Sequence, residues 1–274
     1  GKLVPVPQEA TGPDQLVLGS FGSLPPQKAI ERTLKVLKGV EVHLGFDTLA
    51  GWAGSSVQRL SMVRGSSMLH PADRLSLLGQ NLSNAWFALK NLGEAHWRQT
   101  MALVRLGLGD SVDSVNTVPY AGGGHVGIAL NRTDLSQPIP GAYLSDGELS
   151  WLAFVALARL NRGRSFLAID EPELHLHPSL LGRVVSLLSS LDDGVPVLMS
   201  THSDRVLELL EDPASAVRVC TLMGSEAVVS MLDAAELPRW LKEFGDVGQL
   251  RASGYLHRLL GPARTDLRNG EGEE

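Results

Sequence analysis

The run Phe166-Leu-Ala-Ile-Asp170-Glu171 constrains this chain more than any other segment. Four apolar residues lead into two adjacent carboxylates. A short apolar run of this kind predicts a buried strand of a parallel sheet. The carboxyl ends of such strands face the ligand crevice of α/β folds. Neighbouring strand residues point to opposite faces, so the two acids can do different work. One can organise Mg2+ through its water shell while the other meets a nucleophilic water, a division that suits phosphoryl transfer. Alone, the pattern also describes a strand that surfaces in two ordinary acids, and the rest of the chain decides between these readings.

The surrounding pattern is that of an α/β core. A helix is expected over Ser145–Leu160, another over Ser179–Leu191, and a strand over Val195–Ser200 that ends in Thr201-His202. A short helix should follow from Asp204 to Leu210. Val217–Leu222 and Ala227–Met231 read as a hairpin, with helices over Ala234–Phe244 and Gln249–Leu260. Upstream, Gln27–Leu37 reads as a helix and Val40–Phe46 as an alternating strand. Residues 79–106 read as two amphipathic helices, and Ser114–Val118 and His125–Leu130 as strands about Gly122-Gly123-Gly124. Residues 1–26 and Gly51–Pro71 read as loop, and the polar stretch from Gly261 to Glu274 as a disordered tail.

The balance of 24 basic and 30 acidic residues, net −6, argues against a broadly basic nucleic-acid binder but leaves a local patch open. The single cysteine, Cys220, allows no internal disulfide, and its apolar surroundings predict a buried strand position. No stretch of 18 apolar residues occurs, and the first residues lack a signal-peptide pattern, so a soluble cytoplasmic protein is expected.

Leu144-Ser145-Asp146-Gly147-Glu148-Leu149 opens the helix that precedes the acid pair. Ser145 with Glu148 three residues later is a capping box. The same turn can also offer a hydroxyl from Ser145, close backbone N–H groups at Gly147 and the positive end of a helix to a phosphate. Asp146 and Glu148 make the expected local field acidic. Arg162 and Arg164, between this helix and the acid pair, are candidate phosphate contacts, although solvated surface is their ordinary role. His175 and His177 could share one side of an extended segment, but no cysteine and no further close histidine completes a metal set.

Taken in order, these segments resemble the ABC-type ATPases of the SMC/RecF-like class, the predicted ATPases also grouped with the AAA family. Leu144–Glu148 resembles the signature written LSGGQ, and Phe166–Glu171 resembles Walker B. Pro172-Glu-Leu-His-Leu-His-Pro178 occupies the D-loop position, and Ser200-Thr-His202-Ser resembles the switch histidine loop. Arg74 with Gly79-Gln-Asn-Leu82, and Phe244-Gly-Asp-Val-Gly-Gln-Leu250, resemble flanking segments of the same class, so the resemblance runs from about residue 75 to residue 260. It implies a head-like parallel sheet flanked by helices. It implies that Asp170 organises Mg2+, that Glu171 is the general base and that His202 meets the γ-phosphate of ATP. Ser145, Asp146, Gly147 and Glu148 would complete the nucleotide site of a second head, with a homodimer expected. DNA or an effector protein would sense the ATP state in repair or phage defence, with no membrane involved.

One part of the pattern is missing. No G-x-x-x-x-G-K-S/T occurs in the sequence, so the backbone nest and lysine that cradle β- and γ-phosphates are absent. No secure Q-loop is visible either, and no heptad run points to a coiled-coil arm. The expected organisation is a remnant of an N-terminal lobe with a helical insert over 1–140, a lobe with the three motifs over 141–260, and a tail over 261–274. The phosphate-gripping lobe would lie upstream or in another chain. The alternative is a scaffold or nucleotide-sensing subunit that hydrolyses nothing without a P-loop partner. A nuclease-like metal site at Asp170 and Glu171 fits poorly, because such sites need further acids on neighbouring strands.

Overall fold

The computed structural model describes residues 28–49, 61–119, 123–160, 163–191 and 194–261. The expectations for residues 1–26 and the tail beyond Gly261, those for residues 51–60 of the loop expected over Gly51–Pro71, and those for Gly122 and Arg162 lie outside these ranges. The protein is a mixed α/β molecule with a parallel sheet flanked by helices. Helix α1, Lys28–Lys38, leads into strand β1, Val40–His43. Helices α2, Leu82–Lys90, and α3, Glu94–Leu108, follow the short strand β2, Ser67–Met68. Next come β3, Val112–Pro119, β4, His125–Arg132, and the short β5, Ile139–Pro140. These lead to α4, Asp146–Arg159, β6, Phe166–Asp170, α5, Pro178–Ser189, and β7, Val197–Ser200.

Two sheets form from these strands. Parallel pairing gives the order β1-β6-β7, with Val40 opposite Phe166 and Asp170 opposite Ser200. An antiparallel sheet runs β2-β4-β3, with β5 on β4. Helices α2, α3 and α4 pack together around Trp86, Leu89, Val104, Leu149 and Leu152, all with no measurable exposure. The indole N–H of Trp151 on α4 donates to the carbonyls of Leu103 and Val104 at 3.1 and 3.3 Å, which ties α4 to α3.

The chain separates into two compact units. The first runs to Leu176 and takes in Ser186–Ser200. The second comprises His177–Val185 and the chain from Thr201 onward. Strand β1 pairs along its whole length with β6 and holds the early segment in the same sheet as the acid-bearing strand. The second unit carries α6, Asp204–Glu208, α7, Pro213–Ala216, and the hairpin β8–β9, Arg218–Met223 and Glu226–Met231. Helices α8, Leu237–Phe244, and α9, Val247–Ala252, complete it. Its own core contains Val217, Leu232, Leu237, Val247, Leu250 and Leu259.

Three expectations are corrected. Strand β6 is buried on one face only: Leu167 and Ile169 are inside, while Phe166 and Ala168 are half-buried. The register aligns Val42, Ala168 and Leu198 on the other face, where Val42 is 49% and Leu198 56% exposed. Cys220 does lie in a strand, but it is exposed, because a two-stranded hairpin leaves one face to solvent. Arg164 is buried and structural. Its guanidinium pairs with Glu41 at 2.8 Å and donates to the carbonyls of Leu157 and Leu160, which end α4. No helix among the described residues is long and apolar enough to cross a membrane.

Candidate functional site

Asp170 closes β6, and the parallel register sets it against Ser200 at the end of β7. The Ser200 hydroxyl donates to the Asp170 carboxylate. One residue on, the Glu171 N–H donates to the Ser200 carbonyl at 2.9 Å. Ser200 therefore fixes both acids, one through its side chain and one through its backbone. Glu171 has φ 46°, in the left-handed region. A non-glycine residue there costs on the order of 1–3 kcal/mol and persists only where the surroundings hold it. Here the bond to Ser200 and a turn closed by the Leu174 N–H on the Glu171 carbonyl at 3.0 Å do so. Leu174 is seated against Gly45 in the loop after β1, where a Cβ would come within 2.7 Å of Leu174 Cδ1.

The histidines that follow take separate roles. His175 also has a left-handed φ, 62°. The His177 Nδ1 lies 2.8 Å from the Ser179 hydroxyl and accepts from the Ser179 N–H at the start of α5. Among the described residues, no group of three His, Cys, Asp or Glu side chains could hold a metal by itself. The oxygen donors present fit Mg2+ in another way. This ion keeps several waters and takes one or two carboxylates together with phosphate oxygens. An exposed Asp170 carboxylate at a strand end, steadied by a hydroxyl, could serve as such a ligand. His202 lies at the start of the second unit's long segment. There its carbonyl accepts from the Arg251 guanidinium, which also grips Asp204 at the start of α6.

The turn before α4 is built as a capping box. The Ser145 hydroxyl oxygen accepts from the Glu148 N–H at 3.2 Å, and the Glu148 carboxylate accepts from the Ser145 N–H at 2.9 Å. The Ser145 hydroxyl donates to the same carboxylate at 2.9 Å. Gly147 is the second residue of the helix. The acidic field expected here is largely neutralised. Arg132 on β4 pairs with Glu148 at 2.6 Å, and Arg64 pairs with Asp146. Burial works to raise the Glu148 carboxyl, but the Ser145 amide, the Arg132 guanidinium and the Ser145 hydroxyl outweigh it and hold it below the ordinary glutamate range. Ser200, Arg64 and Arg132 meet their partners at separations of 30, 82 and 16 residues, beyond any local pattern. Ser200 was legible only as the residue before Thr201-His202, and the two arginines carry no local signal.

A family model described as "AAA domain, putative AbiEii toxin, Type IV TA system" matches residues 26–208. Among curated proteins, the "Old nuclease" of Escherichia phage P2 is 40% identical over 60 residues, which are 22% of this chain and 10% of that protein. The chain therefore spans about a tenth of the length of this relative. Among solved structures, the Smc head domain with a coiled coil and joint from Pyrococcus yayanosii aligns with a TM-score of 0.41 and 15% identity, over 54% of this chain and 28% of that one. The Smc head domain with an extended coiled coil, bound to the C-terminal domain of ScpA and derived from Pyrococcus furiosus, aligns with a TM-score of 0.38 and 15% identity, over 61% and 44% of the two chains.

Proposed function

The chain belongs to this AAA domain family, and we propose that it supplies the water-activating and trans-acting parts of an ATP-hydrolysing head. The observation that carries the reading is the pair Asp170–Glu171 at the end of a parallel strand, with both residues fixed by Ser200. Asp170 would hold Mg2+, which when bound would neutralise phosphate charge. Glu171 would orient and deprotonate the attacking water, and His202 would contribute from the switch segment. Ser145, Asp146, Gly147 and Glu148 would close on the nucleotide of a second head, most simply a second copy of the protein. The phosphate cradle would come from sequence upstream or from a partner chain. Coupling to DNA repair or phage defence, through DNA or an effector protein, belongs to the same proposal.

Exchange of Glu171 for Gln in the full-length protein tests this. Hydrolysis should fall by orders of magnitude while nucleotide-dependent dimers accumulate, because Gln keeps the shape of Glu but accepts no proton. Unchanged turnover would exclude Glu171 as the base. The alternative, a sensing or scaffold subunit, predicts no hydrolysis by the wild type unaided and nucleotide binding only when a P-loop partner is added.

A further inference from the structure

We infer that Arg64 is the positioning residue of the Leu144–Glu148 turn; the inference rests on the reading of that turn as nucleotide-facing. Arg64 sits in a tight turn in which its own N–H and that of Gly65 donate to the Ser61 carbonyl at 3.0 and 3.2 Å. The Ser61 hydroxyl in turn donates to the Asp47 carbonyl, so the turn is fastened to the loop after β1. From there the Arg64 side chain runs through the interior, with only 4% of it exposed.

Its guanidinium makes contacts in three directions. Nε donates to the Thr48 carbonyl at 2.5 Å. Nη1 donates to the carbonyls of Ala142, at 3.3 Å, and Leu144, and Nη2 to the Asp146 carboxylate. The last three acceptors bracket Ser145, and Ser145 and Gly147 themselves are left untouched by it. Gly141 completes the seat: a Cβ there would lie 3.3 Å from the Arg64 carbonyl.

A guanidinium presents five N–H groups in a rigid planar fork. Burying it is unfavourable unless those groups are met. The acceptors come from a loop, a turn and a helix start, so they meet the fork together only when all three occupy one geometry. Arg64 thereby converts the position of the loop after β1 into the position of the turn. Arg164 provides the contrast, because it performs the equivalent task at the carboxyl end of the same helix, away from the turn.

The test compares Arg64→Ala and Arg64→Lys with the wild type in the full-length protein, by amide hydrogen exchange and by nucleotide-dependent association. Loss of a charge-assisted bond network predicts about a tenfold rise in exchange across residues 146–149, with residues 166–170 unchanged. Lysine keeps a charge near Asp146 but cannot reach three separate acceptors, so it should show the same local rise; it also serves if the alanine variant fails to fold. Both variants should weaken association with the second head while affinity for the nucleotide in the first is retained. No rise at 146–149, or an equal rise at 166–170, overturns the inference. If the wild type and Glu171→Gln never associate with nucleotide, the half-site reading fails, and the exchange result still decides whether Arg64 positions the turn.

Discussion

The hydroxyl of Ser200 meets the carboxylate of Asp170 across the β6–β7 pair, at the edge of the parallel sheet. This contact holds the carboxylate proposed to bind Mg2+ without using a second charge. Ser200→Ala removes the hydroxyl but keeps the carbonyl that holds Glu171. Ser200 is exposed, so fold stability should change by less than about 1 kcal/mol. The Mg2+ concentration needed for half-maximal hydrolysis should rise several-fold. A titration of Mg2+ against ATP turnover checks this, and an unmoved midpoint would show that the hydroxyl does not orient Asp170.

Two glycines in helices should respond with opposite signs to the same substitution. A Cβ on Gly107 in α3 would overlap the Trp151 indole, whereas a Cβ on Gly182 in α5 would rest 3.8 Å from Leu209. Gly107→Ala therefore overpacks the α3–α4 contact and should cost about 1–3 kcal/mol. Gly182→Ala gains helix propensity and should stabilise by up to about 1 kcal/mol. Urea unfolding of the two variants, compared at constant slope, distinguishes them.

The buried Glu41 should make stability depend on acidity. Burial alone would raise its carboxyl, but the His43 ring 3.8 Å away and the bond and charge of Arg164 hold it below the reference value of 4.5. A carboxyl lowered on folding adds stability that is fully present above the unfolded pKa and is lost as pH falls through the folded one. Glu41→Gln leaves Arg164 buried without its counter-charge and should cost about 3–5 kcal/mol near neutrality. The gap in melting temperature between wild type and variant should close as the pH falls below 4.5. A constant gap from neutrality to that range would contradict the assignment.

Cys220 should be reactive in the folded protein. It is exposed on the β8–β9 hairpin, so a maleimide should label it under native conditions as fast as in denaturant. Labelling only after unfolding would place it inside after all.

How much of this was legible in the sequence differs from element to element. Period and capping chemistry are local, so α4 and its Ser145–Glu148 box could be read directly, as could β6 and the two acids at its end. The partners of those residues are set by pairing over long separations. Ser200 reaches Asp170 across a register that no local pattern specifies. Strand β1 shows the same limit more sharply. The strand expected over Val40–Phe46 ends at His43, and within it Glu41 and His43 face inward while Val40 and Val42 face out. Burial of Glu41 is permitted by Arg164, which lies 123 positions along the chain.

The sequence by itself determined the strand-and-acid edge, the capped turn and the order in which they occur, because each depends on neighbours within a few residues. The tertiary structure alone decided how their charges are met. Arg64 neutralises Asp146, Arg132 neutralises Glu148, and Arg164 neutralises Glu41. It alone decided as well that one face of the parallel sheet carries half-exposed apolar residues. The physical reason is the same in each case: a buried charge or an apolar face is stable only with a partner, and that partner is supplied by the fold rather than by adjacent sequence.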